Sequence, residues 1–405
     1  MHNRARAWTA QIHGDWTVML CSLEYRSWKH SQITRGIIIG DAPRVQGNDM
    51  TDQLILSVEN GVGRIRLNRP KAIHALTPEM CEAINQALLE WRDDPAVLMV
   101  MIDHAEGRGF CAGGDIALIA NSAKMDCAAA EHFFRVEYRM NHLLFVYDKP
   151  IVAFIDGIVM GGGVGLSLPC RYRVATERTT FAMPETGIGL FPDVGGGWFL
   201  PRLPGRIGTW LAATGARLDG ADCVAIGIAT HYVGSDRLDA LKAEILTHPS
   251  QVSTILDQAN ELAPESRLMA QRDRIDRLFA SDAFEDILAA LQADGSDWAD
   301  KQFAVLATKS PQAVKVALRQ LVEGAAFTDF ADNMRNEYRL ACHIIRRPDF
   351  VEGVRAVIFD KDNAPQWSPA TPEEVDDRLI DSLFAPLPQD KEWTPLPQTE
   401  ISHDL

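Results

Sequence analysis

A chain of 405 residues, 46% hydrophobic and 23% charged, has the composition of a folded protein sized between one large domain and two. Its formal net charge of -15 excludes the broad basic surface that nucleic acids or anionic membranes require, although a few local cations can still hold a small anionic ligand. Seven cysteines, odd in number and without a CxxC pair, suit a reducing compartment and give no zinc site.

No apolar run approaches the roughly 18 residues needed to span a bilayer. Residues 1–49 read as a poorly ordered extension ahead of the first regular pattern. Five Lys/Arg against two Asp/Glu in the first 40 residues leave a transit peptide as the alternative. The compartment follows the source: cytoplasm for a bacterium, mitochondrial matrix for a eukaryote.

Gln53–Asn60 and Gly63–Asn68 alternate as two strands joined at Asn60-Gly61, a strong hairpin signal. Thr77-Pro78 opens a helix, with Thr as N-cap and Met80, Ile84, Ala87, Leu88 and Trp91 on one face. The apolar run Val97–Ile102 predicts a buried strand leading into a first glycine segment, FCAGGD at Phe110–Asp115. A helix over Ala128–Val146 and a strand over Ile151–Ile155 precede a second, MGGGVG at Met160–Gly165.

Short strands at Tyr172–Ala175 and Thr180–Ala182 follow. Then comes Phe181–Gly197, FAMPETGIGLFPDVGGG, whose only charges are Glu185 and Asp193 and whose end is three glycines. That glycine run suggests backbone approaching a ligand. Helices at Ile207–Thr214 and Gly220–Ile226 and a strand at Ala229–Val233 complete an α/β body over 50–235. In such a body ligands bind beyond the carboxyl ends of strands. Residues 236–388 are mainly helical, with Phe327–Arg347 as the longest pattern, and 389–405 form a polar tail expected to fray.

Each candidate has a plain structural reading. Met160–Gly165 could be tight helix–strand packing, Asp193 an N-cap, and Glu185 a solvated loop acid. The functional reading gives Gly114 and Gly162 unpaired N–H groups that converge on one oxygen. The two acids would then stand beside that oxygen. The histidines show no ligand spacing, so no metal is expected, and Cys111 reads as a small apolar filler.

FCAGGDI with MGGGVGL resembles the crotonase (enoyl-CoA hydratase/isomerase) superfamily, and NRPKAIHALT at Asn68–Thr77 resembles its N-terminal signature. Phe181–Leu203 and EGVRAVIFDKDNAPQW at Glu352–Trp367 resemble one branch of it, the 3-hydroxyisobutyryl-CoA hydrolases. The resemblance implies an α/β spiral of ββα turns with a mainly helical C-terminal region. It also implies a thioester carbonyl held by the Gly114 and Gly162 N–H groups. Hydratases carry two glutamates, the first of which would fall at Gly165 and is absent; the second matches Glu185. Asp193 stands where hydratases have glycine, as in the hydrolase branch.

Glu137 matches a substrate-contacting glutamate of that branch, and Gly113 and Asp115 are further candidate substrate-binding residues. Arg69, Lys71, Ala72 and Lys361 are candidate contacts for coenzyme A, which belongs to the substrate, so no separate cofactor is expected. His74 departs from the Asn that relatives commonly carry.

The implied reaction cleaves 3-hydroxyisobutyryl-CoA to 3-hydroxyisobutyrate and CoA, a step of valine degradation, with 3-hydroxypropionyl-CoA as a second substrate. Glu185 would serve as nucleophile or as base for water. The competing readings are a hydratase or isomerase of the same fold and a non-catalytic acyl-CoA-binding protein. No nucleic-acid or membrane partner is expected. A homo-oligomer stays open, because relatives trimerise through C-terminal helices that a longer helical region could cover.

Overall fold

The computed structural model describes residues 53–397 and the backbone of 49–51. The expected N-terminal extension and the last eight residues of the expected tail lie outside the described residues.

Two sheets form the α/β body. The larger contains β1 (Asp49–Thr51), β2 (Leu54–Glu59), β3 (Val62–Leu67), β4 (Met99–His104), β6 (Ile151–Ile155), β8 (Tyr172–Ala175) and β11 (His231–Tyr232), side by side in that order. The smaller runs β10 (Leu218–Asp219), β9 (Thr180–Ala182), β7 (Ile158–Met160), β5 (Gly109–Cys111). β2 and β3 pair antiparallel with Glu59 opposite Val62, and the pairs from β3 through β4, β6 and β8 to β11 are parallel.

The Asn60-Gly61 turn has both residues at positive φ, 51° and 85°, as the tight hairpin requires. Its flanking strand pattern therefore transfers directly into register. The Pro78–Asp93 helix is capped by the Thr77 side chain, which accepts from the Met80 N–H at 3.3 Å, and all five expected inward residues are buried. β4 alternates between two cores. Val100 and Ile102 join the main one, and Met99 and Met101 face a second one under the Leu238–Thr247 and Val252–Ala259 helices. A strand covered on both faces reads as a continuous apolar run, which is why it shows no polar alternation.

The C-terminal helices share the main core with the sheet body. Phe330, Met334, Tyr338, Ala341 and Ile344 of the Phe330–Ile344 helix pack there beside Phe133 and Phe134. The expectation of a single longest helix over Phe327–Arg347 is corrected: Phe330–Ile344 has 15 residues, and Pro311–Ala326 has 16, opened by the Ser310 cap and Pro311. The expected fraying after Gln389 is also corrected for the described part. Trp393 is fully buried, its indole N–H donates to Arg135 O at 3.3 Å, and Arg135 in turn donates to the carbonyls of Lys391 and Glu392. A fully buried tryptophan removes a large apolar area from water, which anchors the segment against the helix that carries Arg135.

Candidate active site

β5, β7 and β9 are parallel neighbours, so their carboxyl ends lie on one side, and each runs into a segment singled out in the sequence. β5 leads to Gly113–Asp115, β7 to Gly161–Gly165 and β9 to Glu185. Gly113 sits at φ 122°, and a Cβ there would meet Gly162 N at 3.7 Å, so the first two turns touch.

Leu76 fixes the first of these turns. Its N–H donates to Gly113 O at 2.8 Å and its carbonyl accepts from Asp115 N–H at 2.9 Å. Between them the Gly114 N–H has no acceptor among the described residues. Gly162 opens the Gly162–Ser167 helix, where the first N–H has no intrahelical acceptor either.

Four buried carboxyl groups cluster here: Glu137 (2% exposed), Glu185 (6%), Asp193 (5%) and Glu337 (0%), with Asp193 and Glu337 acting on Glu137 and Asp193 on Glu185. A Cβ at Gly161 would lie 3.4 Å from Glu185 Oε1, and one at Gly162 only 2.5 Å from Glu137 Oε1. Both acids therefore stand against the second glycine turn. Glu137 Oε1 and Glu185 Oε2 are buried without a hydrogen-bond partner, an arrangement that costs free energy unless a ligand or water supplies one.

Asp193 accepts a hydrogen bond from the Tyr138 hydroxyl at 2.8 Å. The residue after it, Val194, is held at φ 50°, a conformation unusual for a β-branched side chain and typical of strain kept at functional sites. Asp193 does not use its side chain to cap the Gly196–Phe199 helix. Glu337 does so from the far end of the chain, accepting from Gly195 N–H at 2.8 Å and Gly197 N–H at 3.0 Å. Gln320 and Asn333 donate to the same carboxylate at 3.1 and 2.9 Å.

The closing glycine run thus approaches C-terminal helices, not a ligand, which corrects the sequence expectation. A Cβ at Gly197 would lie 2.7 Å from Asn333 Oδ1 and 2.8 Å from Gln320 Nε2.

Burial is the first cause of every acid's shift. It raises Glu185 well above the ordinary carboxyl value, Asp193 adds to the rise, and Lys309 opposes it. Glu137 is raised by burial, then by Asp193 and Glu337. Asp193 is raised to about 6 against the pull of the Tyr138 bond, and Glu337 to about 8 in spite of its backbone donors. Cys111 is pushed up to about 12 by burial, so it stays a thiol and a filler.

Position 165 shows why one carboxylate of a hydratase pair is missing. A Cβ on Gly165 would lie 2.6 Å from Asn141 Nδ2 and 2.7 Å from Val194 Cβ, so even the first atom of a side chain has no room.

The remaining candidates divide. Arg69 donates to Asp115 Oδ2 at 3.1 Å and to Ala75 O, and Asp115 also caps the Ile116–Ala123 helix through Leu118 N–H at 3.3 Å. Those two tie the first glycine turn together from inside. Lys71 is exposed and Ala72 half-buried on the Pro70–Ala72 turn, and Lys361 sits at φ 57° after the Arg355–Phe359 turn. His74 is buried at φ 56°; its Nδ1 accepts from Arg69 N–H at 2.9 Å and its Nε2 lies 2.8 Å from Glu106 O. Burial lowers its pKa, so it is a neutral, Nε2-protonated strut in a left-handed position that Asn also tolerates.

Tyr138, Asn141, Lys309 and Glu337 were not singled out from the sequence. For Glu337 a signal existed: it falls three residues after Met334 and four before Ala341, on the inward stripe of an amphipathic helix, where a lone acid needs partners.

A family model described as enoyl-CoA hydratase/isomerase matches residues 62–384. The chain is 42% identical over 364 residues to the mitochondrial 3-hydroxyisobutyryl-CoA hydrolase of Gallus gallus, covering 87% of this chain and 93% of that one. It is 43% identical over 348 residues to the Homo sapiens protein of the same name, with 84% and 90% covered. A crystal structure described as a carnitinyl-CoA dehydratase from Mycobacterium thermoresistibile superposes with a TM-score of 0.81 at 41% identity, covering 85% of this chain and 99% of that one.

Proposed function

The chain belongs to the crotonase (enoyl-CoA hydratase/isomerase) superfamily, and on that premise we propose that it is a 3-hydroxyisobutyryl-CoA hydrolase whose chemistry is carried by Glu185 and Asp193. The observation that carries the site assignment is the buried Glu185–Asp193 pair beside two unpaired backbone N–H groups, with no room for a second glutamate at position 165.

In this reading the thioester oxygen takes the Gly114 and Gly162 N–H bonds, and each donor contributes about 10²–10³ in rate as negative charge develops there. Glu185 either attacks the carbonyl carbon or takes a proton from the attacking water. In the first route the C–S bond breaks, a mixed anhydride forms and water then cleaves it. In the second, water adds directly. Either route releases CoA as a thiolate; a thiol of pKa ~8.5 leaves with little acid assistance.

Asp193, held by Tyr138, orients water or shuttles the proton. Glu137 Oε1, buried and unpartnered beside Gly162, is the acceptor for the substrate hydroxyl. A pure binding protein would gain nothing from four desolvated acids. Arg69 and Asp115 shape the turn, Gly113 admits the close approach, and Lys71, Ala72 and Lys361 are the groups nearest the expected CoA path. The relatives' mitochondrial address comes with this reading where the source is eukaryotic.

The test is free-thiol release from 3-hydroxyisobutyryl-CoA, followed colorimetrically. Thiol release supports the hydrolase. Hydration of crotonyl-CoA without thiol release would put the chain with the lyases named among its structural relatives. Binding with neither activity would make it an acyl-CoA carrier.

A further inference from the structure

Lys309 is a titratable group beside the site that the mechanism above does not use. It lies between the Asp297–Leu306 and Pro311–Ala326 helices, and its neighbour Ser310 donates its N–H to Thr186 O at 3.1 Å. That bond ties the Lys309 backbone to the single turn Glu185–Ile188 that carries the proposed nucleophile. The side chain reaches back over the same turn. A Cβ at Gly187 would lie 3.4 Å from Lys309 Nζ.

Among the described residues the Lys309 ammonium makes no hydrogen bond or ion pair, and Glu185 Oε2 is buried and likewise unpartnered.

The other charged groups around Glu185 do not neutralise it. Asp193, on the following loop, is an anion, and Glu137 and Glu337 lie beyond it. Asp349, on the Pro348–Val354 helix packed against the same turn, is occupied by the Ser310 hydroxyl and by Ser368 N–H at 2.7 Å. The cation acting on Glu185 is Lys309.

We propose that Lys309 is a positioning residue for the hydrolysis. Its ammonium, held over the Glu185–Ile188 turn, opposes the rise that burial and Asp193 impose on Glu185 and favours the ionised form aimed at the substrate. This deepens the hydrolase reading and rests on it. Burial also brings Lys309 itself down to about 8, so the ammonium is present at neutral pH and is lost on the alkaline side. An opposite charge within about 4–6 Å lowers a carboxyl pKa by about one unit or more, and Lys309 is the cation that lowers Glu185.

The test uses the full chain with Lys309→Met and Lys309→Arg. The acid limb of kcat/KM for 3-hydroxyisobutyryl-CoA should move upward by about one pH unit in Lys309→Met, with about a tenfold loss on that limb and little loss on the plateau. Lys309→Arg should restore the limb. An unmoved limb with a raised KM would overturn the proposal in favour of a CoA phosphate contact, and an equal loss at every pH in both variants would overturn it in favour of packing. A second readout is independent of turnover. The ¹³C carboxyl resonance of Glu185, assigned by its absence in Glu185→Gln, should titrate at higher pH in Lys309→Met than in the wild type. If the protein releases no thiol, the hydrolase reading fails, but this shift still reports whether Lys309 controls Glu185. An unshifted resonance sinks the inference alone.

Discussion

Two of the places where this protein buries carboxylates treat them in opposite ways. On the large sheet, Asp103 is fully buried and met by three cations: Arg64 at 2.7 Å, Lys242 at 3.1 Å and Arg66 at 3.4 Å. Burial alone would raise that carboxyl, but the three cations outweigh it and hold Asp103 below its ordinary value. At the ends of the small sheet, Glu137, Glu185, Asp193 and Glu337 crowd together, and all four are raised by burial. The first arrangement resembles a joint, in which charge is introduced and cancelled. The second sets four acids against one another, with Lys309 opposing the rise at Glu185, at a standing cost to stability, and such a cost persists where the group has work to do.

The largest effect that separates the two regions is expected from Glu185→Gln. Thiol release should fall by about 10⁴-fold or more, since removal of a nucleophile or base disables the unit it belongs to. Thermal denaturation should meanwhile show a gain of about 1 kcal/mol, because a neutral amide relieves the buried repulsion with Asp193. Wild-type turnover in Glu185→Gln would mean that the two regions do not differ in kind.

Glu337→Leu should come next. It strands the Gly195 and Gly197 N–H groups and the Gln320 and Asn333 amides, costing about 3 kcal/mol in urea unfolding. It should also lower kcat at least about tenfold, because Asp193 sits on the loop those bonds hold. Asp103→Asn provides the contrast: about 3 kcal/mol of stability lost through uncompensated cations, with kcat of the folded fraction unchanged. A comparable kcat loss there would erase the distinction.

Gly165→Glu should cost about 1–3 kcal/mol by overpacking against Asn141 and Val194 and confer no crotonyl-CoA hydration. The smallest effect is in the pH dependence of stability. Asp193 and Glu337 have raised folded values, about 6 and about 8, so their contribution is complete below the unfolded carboxyl value and is lost as pH rises through 6 and 8. Asp103 has a lowered value, so its contribution is present above the unfolded value and is lost only as pH falls below it. Chemical denaturation should therefore place maximum stability on the acid side of neutrality, and Glu337→Gln should flatten the decline between pH 6 and 8.

Much of this was legible in the chain. Asn60-Gly61 specified a hairpin because few residue pairs accept two positive φ angles, and Thr77-Pro78 announced a helix because its cap chemistry is local. The glycine segments and Glu185 stood out because two acids ahead of a glycine run are unusual inside an otherwise uncharged stretch. The parts that were not legible depend on distant pairings. Glu337 caps a turn 142 residues before it, and Lys309 reaches Glu185 only because Ser310 bonds Thr186. Asp193 was open to reading as an N-cap because the residue that takes that role lies in another helix. Trp393 lay in a polar, proline-containing segment whose docking depends on Arg135 and Arg139, far upstream.

The bond from Glu337 to the Gly195–Gly197 turn also sets a schedule for the chain as it is made. Glu137, Glu185 and Asp193 leave the ribosome well before residue 337, and at 5–20 residues per second the interval is roughly ten to thirty seconds. Throughout that time the loop bearing Asp193 lacks its anchor. The nascent chain therefore carries the buried carboxylates without the brace that holds the Asp193 loop, and that brace arrives late in synthesis, with the C-terminal helices.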